Sequence, residues 1–361
     1  MYYLGVMSGT SLDGVDAILA DFSAPLPKTL AFTSERYPTD LRTELLALNT
    51  AGENELERSA LAANRLARVY ARAAQRTMAA AGVDRSLVSA LGCHGQTVRH
   101  RPDLGFSVQL NNPALVAELT GCSVVADFRS RDTAAGGQGA PLVPAFHDGI
   151  FRDASESRVI VNIGGIANLT ILEPGRPAWG FDCGPGNCLM DAWIGKHHDK
   201  LYDENGAWAS QGGALPELLR RLLDDEYFQS TPPKSTGRDR FNMAWLNSRL
   251  GSQERPQDIQ ATLLALSAQT IIDHVARYAP RTKRILVCGG GASNRTLVND
   301  IANRFTGGAV EHTDAFGVPA QQVESLAFAW LAMRAIERQA VDMTTTTGAA
   351  HACILGAIYP A

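Results

Sequence analysis

The feature that most constrains this chain is a strand–turn–strand pattern that occurs twice. In the first copy, an apolar stretch runs into the turn Ser8-Gly-Thr-Ser-Leu-Asp-Gly14, and a second apolar stretch follows. In the second copy, residues 158–163 lead into Gly164-Gly165, and an apolar stretch follows at 166–172. Turn glycines let the backbone approach a ligand, and successive turn N–H groups bind anionic oxygens. Because the copies lie about 155 residues apart, the pattern predicts an internal duplication with phosphate bound between the halves.

Each turn also has a purely structural interpretation. Asp13-Gly14 satisfies the geometry of an ordinary hairpin, and neither turn contains the lysine of a Walker loop. A third glycine turn, Gly289-Gly290-Gly291, follows an apolar strand and precedes a helix predicted over 295–304. That arrangement suits the sugar and phosphate of a nucleotide lying at a helix N-terminus.

The composition predicts a soluble enzyme of two domains. The 361 residues allow two hydrophobic cores, and 45% hydrophobic with 19% charged residues fits a globular chain. The net charge of −4 provides no basic surface for nucleic acid. The chain shows no signal-peptide pattern and no run of 18 apolar residues. We therefore expect a cytoplasmic protein that does not bind membranes and whose six cysteines are free thiols.

Polar segments provide the candidate catalytic and binding groups. Asp182 precedes a Gly-Pro-Gly turn at the end of an apolar strand, which suits either presentation of a carboxylate to a ligand or capping of the next helix. A charged, glycine-rich loop predicted from Arg129 to Pro141 carries Arg129 and Arg131. Their guanidinium groups suit binding of a carboxylate, although a solvated linker has the same composition. The polar segment 231–238 either lines a ligand site or forms a surface loop.

These motifs together resemble the anhydro-N-acetylmuramic acid kinase family, within the superfamily of sugar kinases, actin and chaperone ATPases. The resemblance covers nearly the whole chain. The matching stretches are GVMSGTSLDGVD (5–16), CHGQTVRH (93–100), FRSRD with GGQGAPLVP (128–144), NIGGIANLT (162–170), FDCGPGN (181–187), VCGGGASN (287–294) and ESLAFAWLA (324–332).

The resemblance implies an α/β fold of two actin-like lobes, each a mixed five-stranded sheet flanked by helices, with ATP and Mg²⁺ in the cleft between them. We expect residues 1–150 with 340–361 to form the N-terminal lobe and residues 151–339 the C-terminal lobe. A homodimer is implied as well. The implied nucleotide-binding residues are Gly9, Thr10, Ser11, Asp13, Gly164, Gly165, Asn168, Gly289, Gly290, Gly291 and Asn294, with Asp13 as the magnesium ligand. The implied sugar-binding residues are Thr97, Arg131 and Glu324, with Arg131 at the lactyl carboxylate.

The implied reaction joins hydrolysis to phosphoryl transfer. Asp182 acts as general base on a water that attacks C1 of 1,6-anhydro-N-acetylmuramic acid, and the freed O6 takes the γ-phosphoryl group of ATP. The products are N-acetylmuramic acid 6-phosphate and ADP, a step of peptidoglycan recycling. Three alternatives stay open at this point. They are an actin-like ATPase module that binds a partner, a kinase for another amino sugar, and a glycoside hydrolase that uses Asp182 and Glu324 as a carboxylate pair.

Overall fold

The computed structural model describes residues 1–9, 12 and 14–361. Its strands are β1 (Tyr2–Met7), β2 (Gly14–Asp21), β3 (Lys28–Arg36), β4 (Val88–Cys93), β5 (Gln96–Arg101), β6 (Phe106–Leu110), β7 (Val124–Ala126), β8 (Arg158–Ile163), β9 (Ile166–Leu172), β10 (Trp179–Pro185), β11 (Arg284–Cys288), β12 (Ala309–His312) and β13 (Ala357–Tyr359). Its α-helices are α1 (Thr39–Ala47), α2 (Glu55–Ala81), α3 (Pro113–Thr120), α4 (Phe128–Ala134), α5 (Pro144–Phe151), α6 (Cys188–His198), α7 (Pro216–Leu223), α8 (Glu226–Gln229), α9 (Met243–Asn247), α10 (Pro256–Tyr278), α11 (Arg295–Arg304) and α12 (Val323–Ile336).

Two mixed sheets repeat one strand order, as an internal duplication requires. The first sheet runs β13-β7-β4-β1-β2-β3, and the second runs β10-β9-β8-β11-β12. In both, three consecutive strands form an antiparallel meander, and the next two strands add in parallel beside the first of them. The predicted α/β fold with mixed sheets is therefore confirmed. The second sheet has the predicted five strands, whereas the first gains a sixth, β13, which pairs antiparallel with β7.

The chain divides into two compact units, each built on one of these sheets. The first unit comprises Met1–Phe146 with Gln322–Ala361, and the second comprises His147–Gln321. The first division lies close to the predicted boundary at 150, within α5. The second division precedes α12, whereas the prediction placed this helix in the C-terminal lobe. The difference arises because α12 packs on β1 and β4 of the first sheet.

The segment predicted as a loop from Arg129 to Pro141 begins instead with helix α4. Its first residues contain neither glycine nor proline, so nothing in them interrupts a helix. The helix ends before Gly136, which has a φ of 86° that favours glycine. Only the glycine-rich second part of the segment is therefore irregular.

The six cysteines are buried free thiols, as predicted. Throughout residues 1–9, 12 and 14–361, no helix combines the length and apolarity that a membrane crossing requires.

Two glycines in the strands let helix α12 approach the first sheet. A Cβ added to Gly5 of β1 would lie 1.9 Å from the carbonyl oxygen of Ser325, and one added to Gly92 of β4 would lie 2.0 Å from that of Phe328. Both distances are far below van der Waals contact, so the helix backbone rests directly on the strands. This contact fixes the height of Glu324, in the first turn of α12, above the sheet.

We predict that Gly5→Ala destabilises the first unit, because the added methyl group collides with backbone atoms that cannot rotate away. The expected loss in the free energy of unfolding is about 1–3 kcal/mol, the usual cost of overpacking, measured by chemical denaturation. Gly149→Ala is the matched control. Gly149 is exposed in α5 with no atom within 4 Å of an added Cβ, so this change should leave stability unaltered or slightly raised. Equal stability of the two variants would contradict the close packing of α12.

Candidate functional site

A row of polar side chains crosses the second sheet. Asn162 on β8 pairs directly with Asn168 on β9, and Asn168 pairs directly with Asp182 on β10. Directly opposed residues of antiparallel strands project on the same face, with Cβ atoms about 5 Å apart. The register of the sheet therefore brings the predicted catalytic carboxylate beside the predicted phosphate-loop amide.

The Asp182 residue is held through both its backbone and its side chain. Its N–H donates to the carbonyl oxygen of Lys234 (3.2 Å), and its carbonyl oxygen accepts from the hydroxyl of Tyr227 (2.7 Å). Its Oδ2 accepts from the N–H of Thr236 (3.0 Å). The residue is only 8% exposed. These contacts orient the carboxylate, so the segment 231–238 is part of the site and not a free surface loop.

The second glycine turn is bound by the segment that follows Asp182. The N–H groups of Gly186 and Cys188 donate to the carbonyl oxygen of Gly165 (3.0 and 3.1 Å), and that of Asn187 donates to the carbonyl oxygen of Gly164 (2.8 Å). A Cβ on Gly186 would lie 2.3 Å from the Gly164 oxygen, so glycine is required for this approach. The FDCGPGN motif thus both carries Asp182 and fixes the neighbouring turn.

The third glycine turn packs against the end of β8, directly before the second turn, through two of its three glycines. A Cβ on Gly289 would lie 2.3 Å from Oδ1 of Asn162, and one on Gly291 would lie 2.3 Å from Cγ2 of Ile163. The middle residue, Gly290, has no atom within 4 Å of an added Cβ. Asn294 then caps α11, its Oδ1 accepting from the N–H of Leu297 (3.1 Å). The turn therefore presents one open backbone position directly before a capped helix.

These three segments share one edge of the second sheet. Strands β8, β10 and β11 run in the same direction and end beside the two turns and Asp182. In α/β sheets, ligands bind outside the carboxyl ends of strands. The structure thus brings together the predicted residues of this unit at such an edge: Gly164, Gly165, Asn168, Asp182, Gly289, Gly290, Gly291 and Asn294. The buried Oδ1 of Asn168 has no hydrogen-bond partner among the described residues, which leaves a polar atom available to a ligand.

In the first unit, side chains support the first glycine turn. Ser8 Oγ hydrogen-bonds to the hydroxyl of Tyr70 (2.7 Å) and donates to the carbonyl oxygen of Gly95 (3.1 Å). Gln96 Nε2 donates to the carbonyl oxygen of Gly9 (3.1 Å). Gly9 is thereby placed at the end of β1. The other predicted members of this turn, Thr10, Ser11 and Asp13, lie outside the described residues.

A buried histidine joins this turn to the arginine segment. His94 Nδ1 hydrogen-bonds to the carbonyl oxygen of Ser8 (3.1 Å), and its Nε2 lies 2.8 Å from Arg129 Nη2 and 3.0 Å from Gln109 Nε2. An Arg donor requires a lone pair on Nε2, so the proton resides on Nδ1 and donates to Ser8. Burial, and then the Arg129 charge, lower the pKa of His94 to about 3. The imidazole is therefore neutral at physiological pH.

The predicted sugar-binding residues occupy different places in the first unit. Thr97 is half-buried on β5 opposite Gln109, which connects it to the hydrogen-bonded chain through His94 to Arg129. Arg131 is exposed on α4, and Glu324 is half-buried in the first turn of α12. Arg129 is thus the half-buried arginine that is held by hydrogen bonds, and Arg131 is the exposed one.

Sequence reasoning missed several residues that position the site. Tyr227, Lys234 and Thr236 hold Asp182, yet none belongs to a motif that names a function. Asn187 and His94 were within quoted motifs, FDCGPGN and CHGQTVRH, but without an assigned role. In each motif this polar residue stands directly beside a glycine, and that placement is the sequence feature that could have pointed to a role in positioning the site.

Comparison with known proteins agrees with this architecture. The structure aligns with the (R)-2-hydroxyglutaryl-CoA dehydratase component A of Acidaminococcus fermentans at a TM-score of 0.51, with 13% sequence identity, over 93% of this chain and 99% of that one. This likeness shows that the two chains share a fold. In the present chain that α/β fold consists of two mixed sheets with the same strand order, with glycine turns at their edges.

Sequence comparison identifies the family. The profile of the anhydro-N-acetylmuramic acid kinase family matches residues 1–361. A curated anhydro-N-acetylmuramic acid kinase of Bordetella pertussis is 53% identical over 364 residues, covering 99% of this chain and 96% of the relative. One of Nitrosomonas europaea is 52% identical over 363 residues, covering 100% of both. The chain belongs to the anhydro-N-acetylmuramic acid kinase family. The predicted membership and the kinase class of enzyme are confirmed.

We predict that His94 makes the protein less stable in mild acid. An unfolded imidazole takes up a proton below about pH 6.5, whereas His94 resists protonation until about pH 3. The unfolded state therefore binds more protons in this interval and gains stability as the pH falls. Replacing the imidazole in His94→Gln should flatten the decline in unfolding free energy between pH 6.5 and 4 by roughly 1.4 kcal/mol per pH unit. Denaturation at several pH values measures this slope. His351→Gln, at an exposed histidine, should leave it unchanged, and a His94→Gln slope equal to that of the original protein would refute the assignment.

Proposed function

We propose that this enzyme uses ATP to convert 1,6-anhydro-N-acetylmuramic acid into N-acetylmuramic acid 6-phosphate and ADP, as a step in peptidoglycan recycling. The observation that carries the proposal is the position of Asp182. Its carboxylate is oriented by the Thr236 N–H and lies in register beside Asn168, at the sheet edge where two glycine turns meet. Membership of the kinase family accounts for the glycine turns, which a glycoside hydrolase has no need of.

The proposed step opens the anhydro bridge and phosphorylates the oxygen it releases. Asp182 accepts a proton from a water whose oxygen bonds to C1, and the C1–O6 bond breaks with its electron pair on O6. O6 then bonds to the γ-phosphorus of ATP as the bond to the β-phosphate oxygen breaks, which releases ADP. The proton on Asp182 returns to solvent. General base catalysis of this kind contributes about 10²- to 10⁴-fold in rate.

The glycine turns are the proposed nucleotide-binding elements. Gly290 offers an open backbone position, and the capped N-terminus of α11 follows it, which suits a sugar-phosphate group. We assign Gly164, Gly165 and Asn168 to a phosphate group on the same edge. In the first unit we assign this role to Gly9, which the structure describes, and to Thr10 and Ser11, which lie outside the described residues.

Magnesium is proposed to act with ATP. Mg²⁺ is bound in such enzymes by one or two carboxylates together with substrate phosphates and waters. The donor chemistry of Asp13 fits this requirement with a single protein ligand. When bound, the ion neutralises charge on the transferring phosphoryl group.

The sugar is proposed to contact Thr97, Arg131 and Glu324. The exposed guanidinium of Arg131 suits the lactyl carboxylate, since among the described residues it makes no side-chain hydrogen bond like those of Arg129 to Gly139 and His94. We also infer that the enzyme works as a cytoplasmic homodimer.

We predict that Asp182→Asn abolishes turnover while ATP still binds, because the amide preserves shape but cannot accept the water's proton. Formation of sugar phosphate with the anhydro sugar and ATP should fall by at least about 10²-fold, and calorimetry should show near-normal ATP affinity. Asp224→Asn is the control, since Asp224 is exposed in the same unit. A rate for Asp182→Asn close to that of Asp224→Asn would refute the assignment. Ring opening in the absence of ATP would instead indicate a hydrolase.

We predict that Arg131→Gln raises the KM for the anhydro sugar by about 10-fold or more, the effect of losing a charge-assisted hydrogen bond of about 1.5–3 kcal/mol. The KM for ATP should stay near its original value. Steady-state kinetics with each substrate varied separately make the comparison, with Arg68→Gln as the control because Arg68 is exposed on α2. An unchanged KM for the sugar would show that Arg131 does not bind the lactyl carboxylate, and Arg129 would then be the candidate for that role.

A further inference from the structure

A buried lysine lies behind the strand that carries Asp182. Lys234 is only 7% exposed. Its ammonium group donates to the carbonyl oxygen of Tyr227 (2.9 Å) and to Nε2 of His274 (2.8 Å), which are two uncharged acceptors. The ammonium also lies 4.6 Å from the ring centre of Tyr227 and 5.8 Å from that of Phe181. Burying a cation costs free energy. A buried Lys234 ammonium group is therefore expected to serve the structure or the reaction.

The histidine acceptor has a fixed protonation state. His274 Nδ1 lies 2.6 Å from the carbonyl oxygen of Thr270, one turn earlier on α10. A carbonyl can only accept, so Nδ1 carries the proton and Nε2 presents its lone pair to Lys234. Burial, and then the charge of Lys234, lower the pKa of His274 to about 4. The pair therefore consists of one cation and one neutral imidazole near neutral pH.

Three hydrogen bonds connect the lysine's surroundings to Asp182. The carbonyl oxygen of Lys234 accepts from the Asp182 N–H, and the N–H of Thr236, two residues on, donates to Oδ2 of Asp182. Tyr227, whose carbonyl oxygen binds the ammonium group, donates its hydroxyl to the Asp182 carbonyl oxygen. The Lys234 side chain thus links the two segments that hold Asp182, which are helix α8 with Tyr227 and the loop with Thr236.

We propose that Lys234 is a positioning residue for Asp182: its buried ammonium group fixes the loop that orients the carboxylate and supplies a positive charge that favours its ionised form. The inference rests on the proposed role of Asp182 as general base. It assigns a function in the reaction to a residue that makes no contact with the reacting atoms.

The charges around Asp182 make this inference sensitive to pH. Burial lowers the pKa of Lys234 to about 8, with Arg277 also lowering it and Cys183 and Asp182 raising it. Burial also raises the pKa of Tyr227 and of Cys183 well above the ordinary range, so both are neutral. Among the described residues, Arg277 and His274 of α10, and Arg240 beyond the loop, also act on this cluster. Lys234 is therefore the group whose charge is lost as the pH rises through about 8.

The test compares pH–rate profiles of the full-length enzyme and two variants. Single-turnover formation of sugar phosphate is measured from pH 5 to 10. The original enzyme should slow as the pH rises through about 8. Lys234→Met, which keeps the chain length but removes the charge, should be about 10- to 100-fold slower. Its acid limb should move up by about one pH unit, the shift caused by losing a nearby opposite charge, and its decline above pH 8 should be absent.

A second variant keeps the charge. Lys234→Arg stays protonated over the whole range, so its acid limb should match that of the original enzyme while the decline near pH 8 disappears. Lys200→Met, at an exposed lysine, is the control and should reproduce the original profile. Calorimetric ATP binding and thermal melting establish that each variant is folded. Should Lys234→Met fail to fold, the profiles of the original enzyme and of Lys234→Arg decide the question.

The outcomes separate this inference from the proposed function. If Asp182→Asn is active, the general-base assignment fails whatever Lys234 does. If Asp182→Asn is inactive and Lys234→Met is slow with an unshifted profile, Lys234 has only a structural role and the inference is overturned. An original enzyme with no decline near pH 8, or a Lys234→Arg variant that retains it, overturns the inference as well.

Discussion

The close backbone contact between the second glycine turn and its neighbours is the constraint on which the candidate site depends. Three consecutive N–H groups, at residues 186–188, donate to the carbonyl oxygens of Gly164 and Gly165. Gly289 and Gly291 lie against Asn162 and Ile163 at the end of β8, at distances that no Cβ permits. Together these contacts fix the edge of the sheet beside the segment that follows Asp182 on β10. A carboxylate held this way needs little further ordering to act on a ligand.

The resemblance to the kinase family predicted an α/β fold with mixed sheets. The repeated glycine turns predicted an internal duplication, which the shared strand order of the two sheets bears out. The position of α12 was harder to predict, since the helix follows the second sheet in the chain but packs on the first. Its signal was present in Gly5 and Gly92, because a glycine inside a strand often marks the close approach of another backbone. These glycines do not indicate which helix approaches the sheet. The predicted end of the C-terminal lobe was therefore placed after α12, whereas the second unit ends before it.

The candidate site was predictable in its residues but not in its supports. Asp182 and Asn168 were identified separately, whereas their adjacency depends on strand register, which a single sequence does not specify. The loop that holds Asp182 has the composition of a surface segment. Its hydrogen bonds to Asp182 and the burial of Lys234 between α8 and α10 show otherwise. Arg129 and Arg131 were indistinguishable by charge. They became distinct once the segment was helical, because residues two apart on a helix face different directions.

The described residues of the two turns are held by different groups. Backbone hydrogen bonds secure Gly164 and Gly165, whereas the side chains of Tyr70, His94 and Gln96 hydrogen-bond to Ser8 and Gly9, where the first turn begins. Backbone support is indifferent to the identity of the donor residue, so sequence can drift around the second turn as long as its glycines remain. Side-chain support ties Ser8 and Gly9 to Tyr70 on α2, to His94 directly after β4 and to Gln96 on β5. A substitution at any of these positions, far along the chain, is therefore felt where the first turn begins.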